Sequence, residues 1–318
     1  MRTRTLGKSD LQIAPLALGG NVFGWTIDEA MSFRLLDQFV DAGFNLIDTA
    51  DIYSMWVPGN QGGESETILG RWLRQSGKRD RVVLATKVGM KMGDGRKGLR
   101  KARIFEAVEE SLRRLQVETI DLYQSHLDDP ETPVTETLEA FDQLIKQGKV
   151  RAIGASQITP ARLRESLETS RRENLASYVS LQPLYNLYDR HPFETDFAPI
   201  CEQYGMGVIN FYSLAAGFLS GKYRAEADLT KSVRGNIRIK ESYFNEKGHR
   251  IIRAMDQVAD RLQAPHAAIA LAWLRTKPLI TAPIASATRP EQMNALIQGA
   301  ELQLDPQSLR ELNEATEN

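Results

Sequence analysis

Eight short apolar runs, separated by amphipathic stretches, constrain the fold of this 318-residue chain more than any other feature. The runs are Leu16–Gly20, Asn45–Ala50, Val82–Val88, Ile120–His126, Arg151–Ser156, Val179–Pro183, Val208–Ser213 and Thr281–Ser286. Each has the length of a buried strand, and between them apolar residues recur at intervals of three and four, as in a helix. Alternating strands and helices predict parallel strands joined by right-handed crossovers. Eight such units close most simply into a (β/α)₈ barrel of the α/β class.

An open, doubly wound sheet is the alternative arrangement for the same alternation. Such sheets bind a dinucleotide at a Gly-x-Gly-x-x-Gly turn directly after a strand. No run here is followed by that turn, since Gly19-Gly20 leads into Asn-Val-Phe-Gly, which has the wrong spacing. We therefore expect residues 1–318 to form a single barrel domain. Residues 1–15 are expected to form a short hairpin that plugs its floor, and long loops are expected at the carboxyl ends of the strands.

Signals for helix ends support this segmentation. Thr26 and Glu29 have the spacing of a capping box. Thr159 and Asp305 each precede a proline, which places a capping side chain before the first helical turn. Glycines mark three expected helix stops, at Gly43, Gly148 and Gly205.

The composition argues against several classes of function. Lys and Arg total 40 against 41 Asp and Glu, so the formal net charge is -1 and no excess positive charge favours nucleic acid or an anionic membrane. The single cysteine, Cys201, allows neither an intrachain disulfide nor a thiolate metal cage. The first residues lack the apolar segment of a signal peptide, and no apolar run approaches the roughly 18 residues needed to span a bilayer. We therefore expect a cytoplasmic protein with no metal, nucleic-acid or membrane partner.

Polar side chains lie where the apolar runs end. In a barrel of this kind the chemistry takes place at the carboxyl ends of the strands, which share one face. Asp48, Tyr53, Lys87 and His126 end or follow the second, third and fourth runs, and the later runs also end in polar residues. Because isolated polar groups are costly to bury, their repetition on one face indicates a site. Carboxylate, phenol, amine and imidazole together form an acid/base set without an evident nucleophile.

This set is suited to proton transfer. A tyrosine begins with a pKa of about 10, and an adjacent ammonium favours the phenolate and lowers that pKa toward neutrality. A carboxylate beside the lysine compensates its charge on burial. Tyr53 then becomes a usable general acid, and His126 is placed to orient or polarise a carbonyl oxygen. Because side chains cannot deliver hydride, a reduction here requires a nicotinamide cofactor.

The sequence resembles the aldo-keto reductase superfamily over essentially its whole length. The resemblance rests on six motifs in order: Asn45–Tyr53 (NLIDTADIY), Gly63–Glu66, Ala85–Lys87, Ile120–His126 (IDLYQSH), Lys149–Ser156 (KVRAIGAS) and Gln182–Leu187 (QPLYNL). It implies a catalytic tetrad of Asp48, Tyr53, Lys87 and His126. Tyr53 would protonate the carbonyl oxygen, and His126 would position the carbonyl. Lys87 would lower the pKa of Tyr53, and Asp48 would pair with Lys87.

The resemblance also implies an extended dinucleotide across the barrel mouth, with hydride passing directly from the nicotinamide to the carbonyl carbon. Tyr212 would stack on the nicotinamide ring. The other implied contacts are to the carboxamide (Ser156, Gln157, Gln182), the ribose (Gly20, Asn21), the pyrophosphate (Ser213, Leu214, Gly217, Leu219, Gly221) and the adenosine end (Ser286, Thr288, Arg289, Gln292). Pro290 predicts a helix start, whose N-terminus is an anion site, and the Arg289 guanidinium suits a 2′-phosphate. We therefore expect NADP(H) as the cofactor, with NAD as the alternative.

The sequence departs from the family pattern in two respects. Ala295-Leu296 occupy the place where many members carry Glu-Asn to grip the adenine, which removes the basis for one adenine contact. Ser286 ends the eighth run where glycine is frequent, and its hydroxyl either bonds a phosphate or is simply tolerated.

Residues 223–250 predict a long basic loop after the seventh run. Its cations are Arg224, Lys231, Arg234, Arg238, Lys240, Lys247 and Arg250. Loops of this length are lids or solvated segments, and both interpretations stay open. Trp25 and Trp56 lie in loops after the first two runs, where they either wall a substrate pocket or pack as ordinary loop residues. The side chains predicted in the core are Trp72 and Trp273, and those predicted at the surface or in loops are His191, His249 and His266.

The leading functional hypothesis is a reversible NADPH-dependent reductase acting on a small carbonyl or alcohol substrate. A second is a nicotinamide-sensing regulatory subunit with little turnover, because some members of the superfamily serve ion channels in that way. A third is a Schiff-base aldolase, since a barrel lysine can attack a carbonyl, although Asp48 and Tyr53 favour a charged Lys87. The loops carry no code for the substrate. No exposed apolar stripe indicates a partner, so we expect a monomer or a weak homo-oligomer.

Overall fold

The structure is a computed structural model that describes residues 2–233 and 235–317, apart from the side chains of residues 236 and 237. Its strands are β1 (Arg4–Thr5), β2 (Gln12–Ile13), β3 (Ala17–Gly19), β4 (Leu46–Asp48), β5 (Val83–Val88), β6 (Ile120–Ser125), β7 (Val150–Ser156), β8 (Tyr178–Gln182), β9 (Gly207–Val208) and β10 (Ile284–Ala285). Its helices are α1 (Glu29–Asp41), α2 (Glu64–Ser76), α3 (Lys101–Leu115), α4 (Val134–Lys146), α5 (Pro160–Glu173), α6 (Ala198–Tyr204), α7 (Lys240–Ser242), α8 (Glu246–Leu262), α9 (His266–Arg275), α10 (Pro290–Glu301) and α11 (Pro306–Glu314).

In the described part of the chain, eight parallel strands run in the order β10-β3-β4-β5-β6-β7-β8-β9. The two ends of this sheet meet, because Thr281 N donates to Val208 O at 2.8 Å and Ile284 N donates to Asn210 O at 3.0 Å. The predicted (β/α)₈ barrel is therefore confirmed. The seventh and eighth runs contribute only two regular strand residues each.

The strand register brings the polar ends of the strands to a common level. Asp48 pairs with Ala85 across β4 and β5, and Lys87 pairs with Gln124 across β5 and β6. Further round the barrel, Ser156 pairs with Gln182. Side chains on alternate strand residues face the same side, so this register fixes which of these polar groups meet inside the barrel.

Small and medium apolar side chains fill the lower half of the barrel, and the N-terminal hairpin closes it. The filling residues belong to one buried cluster: Leu6, Leu11, Ile13, Ala17, Leu46, Val83, Ala85, Leu122, Ala152, Ile209, Ala282 and Ile284. Three of them come from the hairpin formed by β1 and β2, which pair antiparallel. The predicted plug is therefore confirmed. A larger cluster packs the helices on the outside of the sheet and includes the fully buried Trp72 and Trp273, as predicted.

Two of the three predicted helix caps are confirmed. Thr159 accepts from Arg162 N and Asp305 accepts from Ser308 N, and in each case proline follows the cap. The capping box from Thr26 to Glu29 is wrong. α1 begins two residues later than that box requires, because Asp28 supplies the cap by accepting from Met31 N at 2.9 Å. The glycines at 43, 148 and 205 all follow helices with φ between +66° and +91°, as expected for left-handed helix stops.

The predicted loop over residues 223–250 is too long. α8 already begins at Glu246, where Asn245 caps it by accepting from Gly248 N. The preceding segment contains short 3₁₀ and π turns and is fastened to the barrel by apolar side chains, since Tyr223, Leu229 and Ile239 are buried. Arg234, one of its predicted cations, lies outside the described residues. Of the helices in the described ranges, none combines the length and apolar character that a bilayer crossing requires.

Candidate active site

Lys87 is the centre of the predicted site. Its ammonium is fully buried and donates to Asp48 Oδ2 at 2.6 Å, to Thr49 O at 2.7 Å and to Tyr53 OH at 3.0 Å. An ammonium has three N–H donors, so all of them are used. Burial alone would lower the pKa of Lys87, but the neighbouring Asp48 and Tyr53 outweigh it and raise that pKa above its usual value. Lys87 is therefore charged at neutral pH.

Two amide side chains hold the other oxygen of Asp48. Gln124 Nε2 and Gln182 Nε2 donate to Asp48 Oδ1 at 3.1 and 2.9 Å, and Gln182 Nε2 also lies 3.1 Å from Gln124 Oε1. With Lys87 on Oδ2, both oxygens of this buried carboxylate are satisfied, as a buried ion pair requires. Sequence reasoning missed Gln124. Its signal was its position two residues before His126, which places both side chains on the inward face of β6.

A tight turn after β4 carries Tyr53 to the ammonium. Tyr53 N donates to Ala50 O at 3.2 Å, so residues 50–53 form a β-turn. The next residue, Ser54, has φ +73° and is buried, and its hydroxyl donates to Phe23 O at 2.6 Å. This anchor to the loop after β3 fixes the direction in which the Tyr53 ring leaves the turn.

His126 lies directly after β6 beside Tyr53. The two ring centroids are 5.8 Å apart at an interplanar angle of 75°. Burial, and to a smaller degree the charge of Lys87, lowers the pKa of His126 well below its usual value. The imidazole is therefore neutral near pH 7, and one of its nitrogens carries a proton that it can donate.

Aromatic and aliphatic side chains border the opening beside Tyr53. Trp56 lies edge-on to Tyr53, with ring centroids 6.1 Å apart, and edge-on to Trp25, at 5.4 Å. The Trp56 side chain is 45% exposed, and Leu127, next to His126, is 40% exposed. Large exposed apolar side chains next to a polar site are typical of a ligand-binding wall.

The residues expected to contact a nicotinamide lie around the same opening, but several are engaged with one another. Ser156 Oγ donates to Gln182 O at 2.9 Å, and Gln157 Nε2 donates to His126 O at 3.0 Å. The Gln182 side chain is turned toward Asp48. Tyr212 is half-buried at φ +53°, and the Arg238 guanidinium lies 5.6 Å from the centroid of its ring. The segment before α8 therefore reaches the side of the mouth where Tyr212 lies.

The expected pyrophosphate segment has an unusual backbone. Ala215, Ala216 and Gly217 have φ values of +48°, +57° and +101° in succession. Such conformations are costly for residues other than glycine and concentrate at functional sites. A Cβ added at Gly217 would meet only Lys222 Nζ, 4.0 Å away, so the backbone here is open to a ligand. Lys222 was not among the predicted residues, although it directly follows Gly221. The other expected contacts in this stretch, Ser213, Leu214 and Leu219, lie in the same turn.

The expected adenosine end lies at the start of α10. Arg289 occupies its N-cap with an extended backbone and makes no side-chain cap bond, and its side chain is exposed. Gln292 Oε1 accepts from Thr288 N and from Thr288 Oγ1, at 2.8 and 3.0 Å. The dipole of α10 directs partial positive charge toward this end, which is the general basis of anion binding at a helix N-terminus. Leu296 is buried, so it packs in the core at the position where many members carry a polar adenine contact.

Ser286, directly after β10, is hydrogen-bonded to the end of the neighbouring strand β3 and to the loop that follows it. Its hydroxyl lies 2.8 Å from Gly19 O and 2.6 Å from Asn21 Oδ1. These bonds hold the Gly20–Asn21 segment, the expected ribose border, against the strand that precedes α10. The Ser286 hydroxyl therefore forms hydrogen bonds within the protein.

Comparison with known proteins agrees with this geometry. The Aldo/keto reductase family matches residues 15–317. An uncharacterized oxidoreductase, YrpG of Bacillus subtilis (strain 168), is 34% identical over 316 residues, which cover 97% of this chain and 94% of the relative. The aldo-keto reductase YhdN of the same organism is 32% identical, with 98% and 90% covered. A probable voltage-gated potassium channel subunit beta of Oryza sativa subsp. japonica is 31% identical, with 92% and 89% covered. With this match and a barrel that joins a lysine, an aspartate and a tyrosine at its mouth, the chain belongs to the Aldo/keto reductase family of oxidoreductases.

Proposed function

We propose that this chain is an NADPH-dependent reductase that converts aldehydes or ketones to alcohols, reversibly, with Tyr53 as the proton donor. The observation that carries the proposal is the double contact of Lys87 Nζ, 2.6 Å from Asp48 and 3.0 Å from Tyr53 OH. It places a phenol proton next to a buried and compensated positive charge at the open end of the barrel. A positioned acid of this kind is what protonation of a substrate oxygen requires.

Each residue of the set then has a defined task. Tyr53 donates its proton to the carbonyl oxygen while the C=O double bond becomes a single bond. The negative charge that develops on the Tyr53 oxygen is stabilised by the Lys87 ammonium. Asp48 keeps that ammonium charged at a buried position. The neutral His126 donates a hydrogen bond to the carbonyl oxygen and orients it.

A bound nicotinamide supplies the hydride that the carbonyl carbon receives. The residues present fit an extended dinucleotide, because the open backbone at Gly217 admits close approach of a pyrophosphate. Tyr212 would face the nicotinamide ring, and Lys222 and Arg238 would offer charge to the phosphates. Ser156, Gln157 and Gln182 would exchange their present bonds for the carboxamide.

NADP(H) is favoured over NAD by the start of α10. There, an exposed Arg289 lies at the N-terminus of the helix, which suits a 2′-phosphate. Arg289→Gln should weaken NADPH binding about tenfold and leave NADH binding nearly unchanged, because only NADPH carries that phosphate. Fluorescence titration measures both. Equal losses for the two cofactors would contradict the assignment.

The direct test of the proposal is NADPH oxidation with a panel of aldehydes and ketones, run on wild type and on Tyr53→Phe. General acid catalysis is worth about 10²–10⁴ in rate, so the variant should lose nearly all turnover and still bind NADPH. Tyr204→Phe is the matched control, because its hydroxyl makes only a 3.4 Å contact with Glu168 at the protein surface. Full turnover by Tyr53→Phe would refute the role of Tyr53.

A second candidate function is suggested by the relatives that are named potassium channel subunits beta. A nicotinamide-sensing subunit would bind NADPH tightly and turn over slowly with every carbonyl tested. The Schiff-base alternative requires a neutral lysine, which the raised pKa of Lys87 opposes. A cytoplasmic location and a monomeric or weakly associating state complete the proposal, and ultracentrifugation measures the latter.

A further inference from the structure

A buried asparagine in the loop after β8 is bonded to the backbone of Tyr212. Asn186 is fully buried, and its Nδ2 donates to Tyr212 O at 3.0 Å and to Asp189 Oδ2 at 2.9 Å. Its Oδ1 accepts from Tyr188 N at 2.8 Å and from Asp189 N at 2.9 Å. An asparagine side chain has two N–H donors and one oxygen with two lone pairs, so its whole bonding capacity is used.

These partners determine which way round the Asn186 amide lies. The two atoms bonded to Oδ1 are backbone nitrogens that donate, and the two atoms bonded to Nδ2 are oxygens that accept. An amide turned over would place oxygen against oxygen and N–H against N–H. An aspartate here would turn a carboxylate oxygen toward Tyr212 O and the Asp189 carboxylate. The position therefore requires a side chain that donates on one side and accepts on the other, as asparagine does.

The backbone of Tyr212 is strained, so its conformation depends on such contacts. Tyr212 adopts φ +53°, a left-handed conformation in which the Cβ atom crowds the following carbonyl oxygen. Conformations of this kind persist only where the surrounding structure enforces them. Tyr212 O accepts from Asn186 Nδ2 at 3.0 Å and from Ala215 N at 2.7 Å. The peptide group after Tyr212 therefore cannot rotate without the loss of both bonds.

A second buried asparagine makes the reciprocal connection between the same two loops. Asn210 Nδ2 donates to Tyr185 O at 2.7 Å and to Ser213 Oγ at 3.0 Å. Side-chain amides thus join the loop after β8 to the loop after β9 in both directions. They contact the chain just before and just after Tyr212, so the loop after β8 supports the backbone from which the Tyr212 ring extends.

The same hydrogen bonds continue to the segment before α8 through Asp189. The Asp189 oxygen that accepts from Asn186 also accepts from Tyr243 OH at 2.9 Å. Tyr243 is buried, and its ring stacks on Phe218 in the expected pyrophosphate turn, with ring centroids 5.9 Å apart. A continuous chain of hydrogen bonds therefore runs from Tyr243, through two side chains of the loop after β8, to the carbonyl oxygen of Tyr212.

We propose that Asn186 is a positioning residue that keeps the backbone of Tyr212 in its left-handed conformation and so orients the Tyr212 ring for stacking on the nicotinamide. The inference rests on the proposed function, because that function gives Tyr212 a nicotinamide to face. A tyrosine stacked on one face of the nicotinamide leaves only the other face open to a carbonyl. Without the bond from Asn186, the strained backbone of Tyr212 relaxes, its ring turns away, and the choice of face is lost.

The first experiment measures NADPH affinity by fluorescence titration in wild type, Asn186→Asp and Asn186→Ala. Asn186→Asp keeps the side-chain volume but turns an oxygen toward Tyr212 O, whereas Asn186→Ala only removes the donor. We expect NADPH binding to weaken about tenfold or more in Asn186→Asp and about threefold in Asn186→Ala. Wild-type affinity in Asn186→Ala would overturn the proposal, even if Asn186→Asp does not fold.

Asn45→Asp is the matched control. Asn45 Nδ2 donates to Gln12 O at 2.7 Å and Asn45 Oδ1 accepts from Ala14 N at 2.9 Å, so this asparagine also joins two segments, but at the floor of the barrel. Asn45→Asp should therefore leave NADPH affinity unchanged. A loss equal to that of Asn186→Asp would show that the effect does not depend on Tyr212, and the proposal would fail.

An exchange of the two side chains separates positioning from stability. Asn186→Asp combined with Asp189→Asn restores a donor and an acceptor between positions 186 and 189, but a carboxylate oxygen still faces Tyr212 O. The double variant should therefore recover most of the free energy of unfolding that Asn186→Asp loses in urea, while NADPH affinity stays low. Recovery of both quantities would mean that Asn186 only stabilises its own loop.

The face from which hydride leaves is a readout that a purely structural role does not change. NADPH deuterated on one face or the other of nicotinamide C4 would be used to reduce benzaldehyde, with mass spectrometry of the alcohol. Wild type should transfer the label from one face only, and Asn186→Asp should be about tenfold less selective or worse. Wild-type selectivity in Asn186→Asp would contradict the orienting role.

A final measurement needs neither cofactor nor turnover, and it separates this inference from the proposed function. Amide hydrogen exchange of residues 210–217 in the cofactor-free protein should be faster in Asn186→Asp than in wild type or Asn45→Asp, with exchange in α3 as the internal reference. Equal exchange would overturn the hold on Tyr212 even if carbonyls are reduced. If no carbonyl is reduced but exchange rises and NADPH affinity falls, the reductase function fails and the positioning of Tyr212 by Asn186 stands.

Discussion

Replacing Lys87 by Met tests the buried ion pair on which the site depends. Met has a similar length but carries no charge, so Asp48 would be left with only the two glutamine amides, and Tyr53 OH would lose its 3.0 Å contact with the ammonium. Removal of one partner of a buried pair costs about 3–5 kcal/mol, because an uncompensated charge stays in the interior. With side chains 0% and 2% exposed, the Lys87–Asp48 pair belongs to this class, and we expect a loss in that range.

Urea unfolding at pH 7, followed by circular dichroism, measures this loss. Adding Asp48→Asn to Lys87→Met removes the stranded charge and should recover about 2 kcal/mol of the free energy of unfolding. Lys146→Met is the matched control, because its ammonium pairs with Asp142 while 70% exposed, and we expect a change within about 0.5 kcal/mol. A loss below about 1 kcal/mol in Lys87→Met, or a further loss on adding Asp48→Asn, would show that no uncompensated charge is left at Asp48.

Three further predictions concern stability. Because the folded-state pKa of Asp51 is raised from 3.8 to about 7, this group stabilises the fold fully below about pH 4, and the contribution is lost as the pH rises through 7. The free energy of unfolding of Asp51→Asn relative to wild type should therefore increase by about 4 kcal/mol between pH 4 and 8, and a difference independent of pH in urea titrations would contradict this. Gly70→Ala would place a methyl group 2.1 Å from Arg114 O, where α2 packs on α3, so we expect a loss of about 2 kcal/mol or more by thermal unfolding, compared with little change in the exposed Arg171→Ala. Asp28→Ala should cost about 1 kcal/mol by loss of the α1 cap, whereas an equal cost in Thr26→Ala would restore the rejected capping box.

The barrel and the main members of the site could be predicted because they lie in regular strands. Asp48, Lys87 and His126 end or follow apolar runs, and parallel strands place all such ends on one face. Tyr53 was assigned through the resemblance of its motif. The contact between Lys87 and Asp48 then follows from the pairing of adjacent strands.

Other features depend on register and on contacts between distant elements, which periodicity does not reveal. Gln124 can donate a hydrogen bond to Asp48 only because β6 pairs with β5 in a register that places Gln124 opposite Lys87. Asp51 and Glu66 lie in different segments of the chain. From the sequence alone, each is expected to be an ordinary solvent-exposed charge, although both are buried. The observed start of α1 lies two residues after the predicted one. Thr26 and Asp28 are both good caps, and only the path of the chain decides which of them caps the helix.

In the proposed reaction, hydride passes directly from the cofactor to the carbonyl carbon and Tyr53 donates the proton, and an isotope label shows where each hydrogen comes from. Wild-type protein would reduce benzaldehyde with NADPH deuterated at the transferring position of nicotinamide C4, in ordinary water, and mass spectrometry would locate the label in the benzyl alcohol. We expect one deuterium on the carbinol carbon, none on that carbon when only the solvent is deuterated, and no alcohol above background with Tyr53→Phe. Alcohol whose carbinol hydrogen comes from the solvent, or undiminished label transfer by Tyr53→Phe, would contradict it.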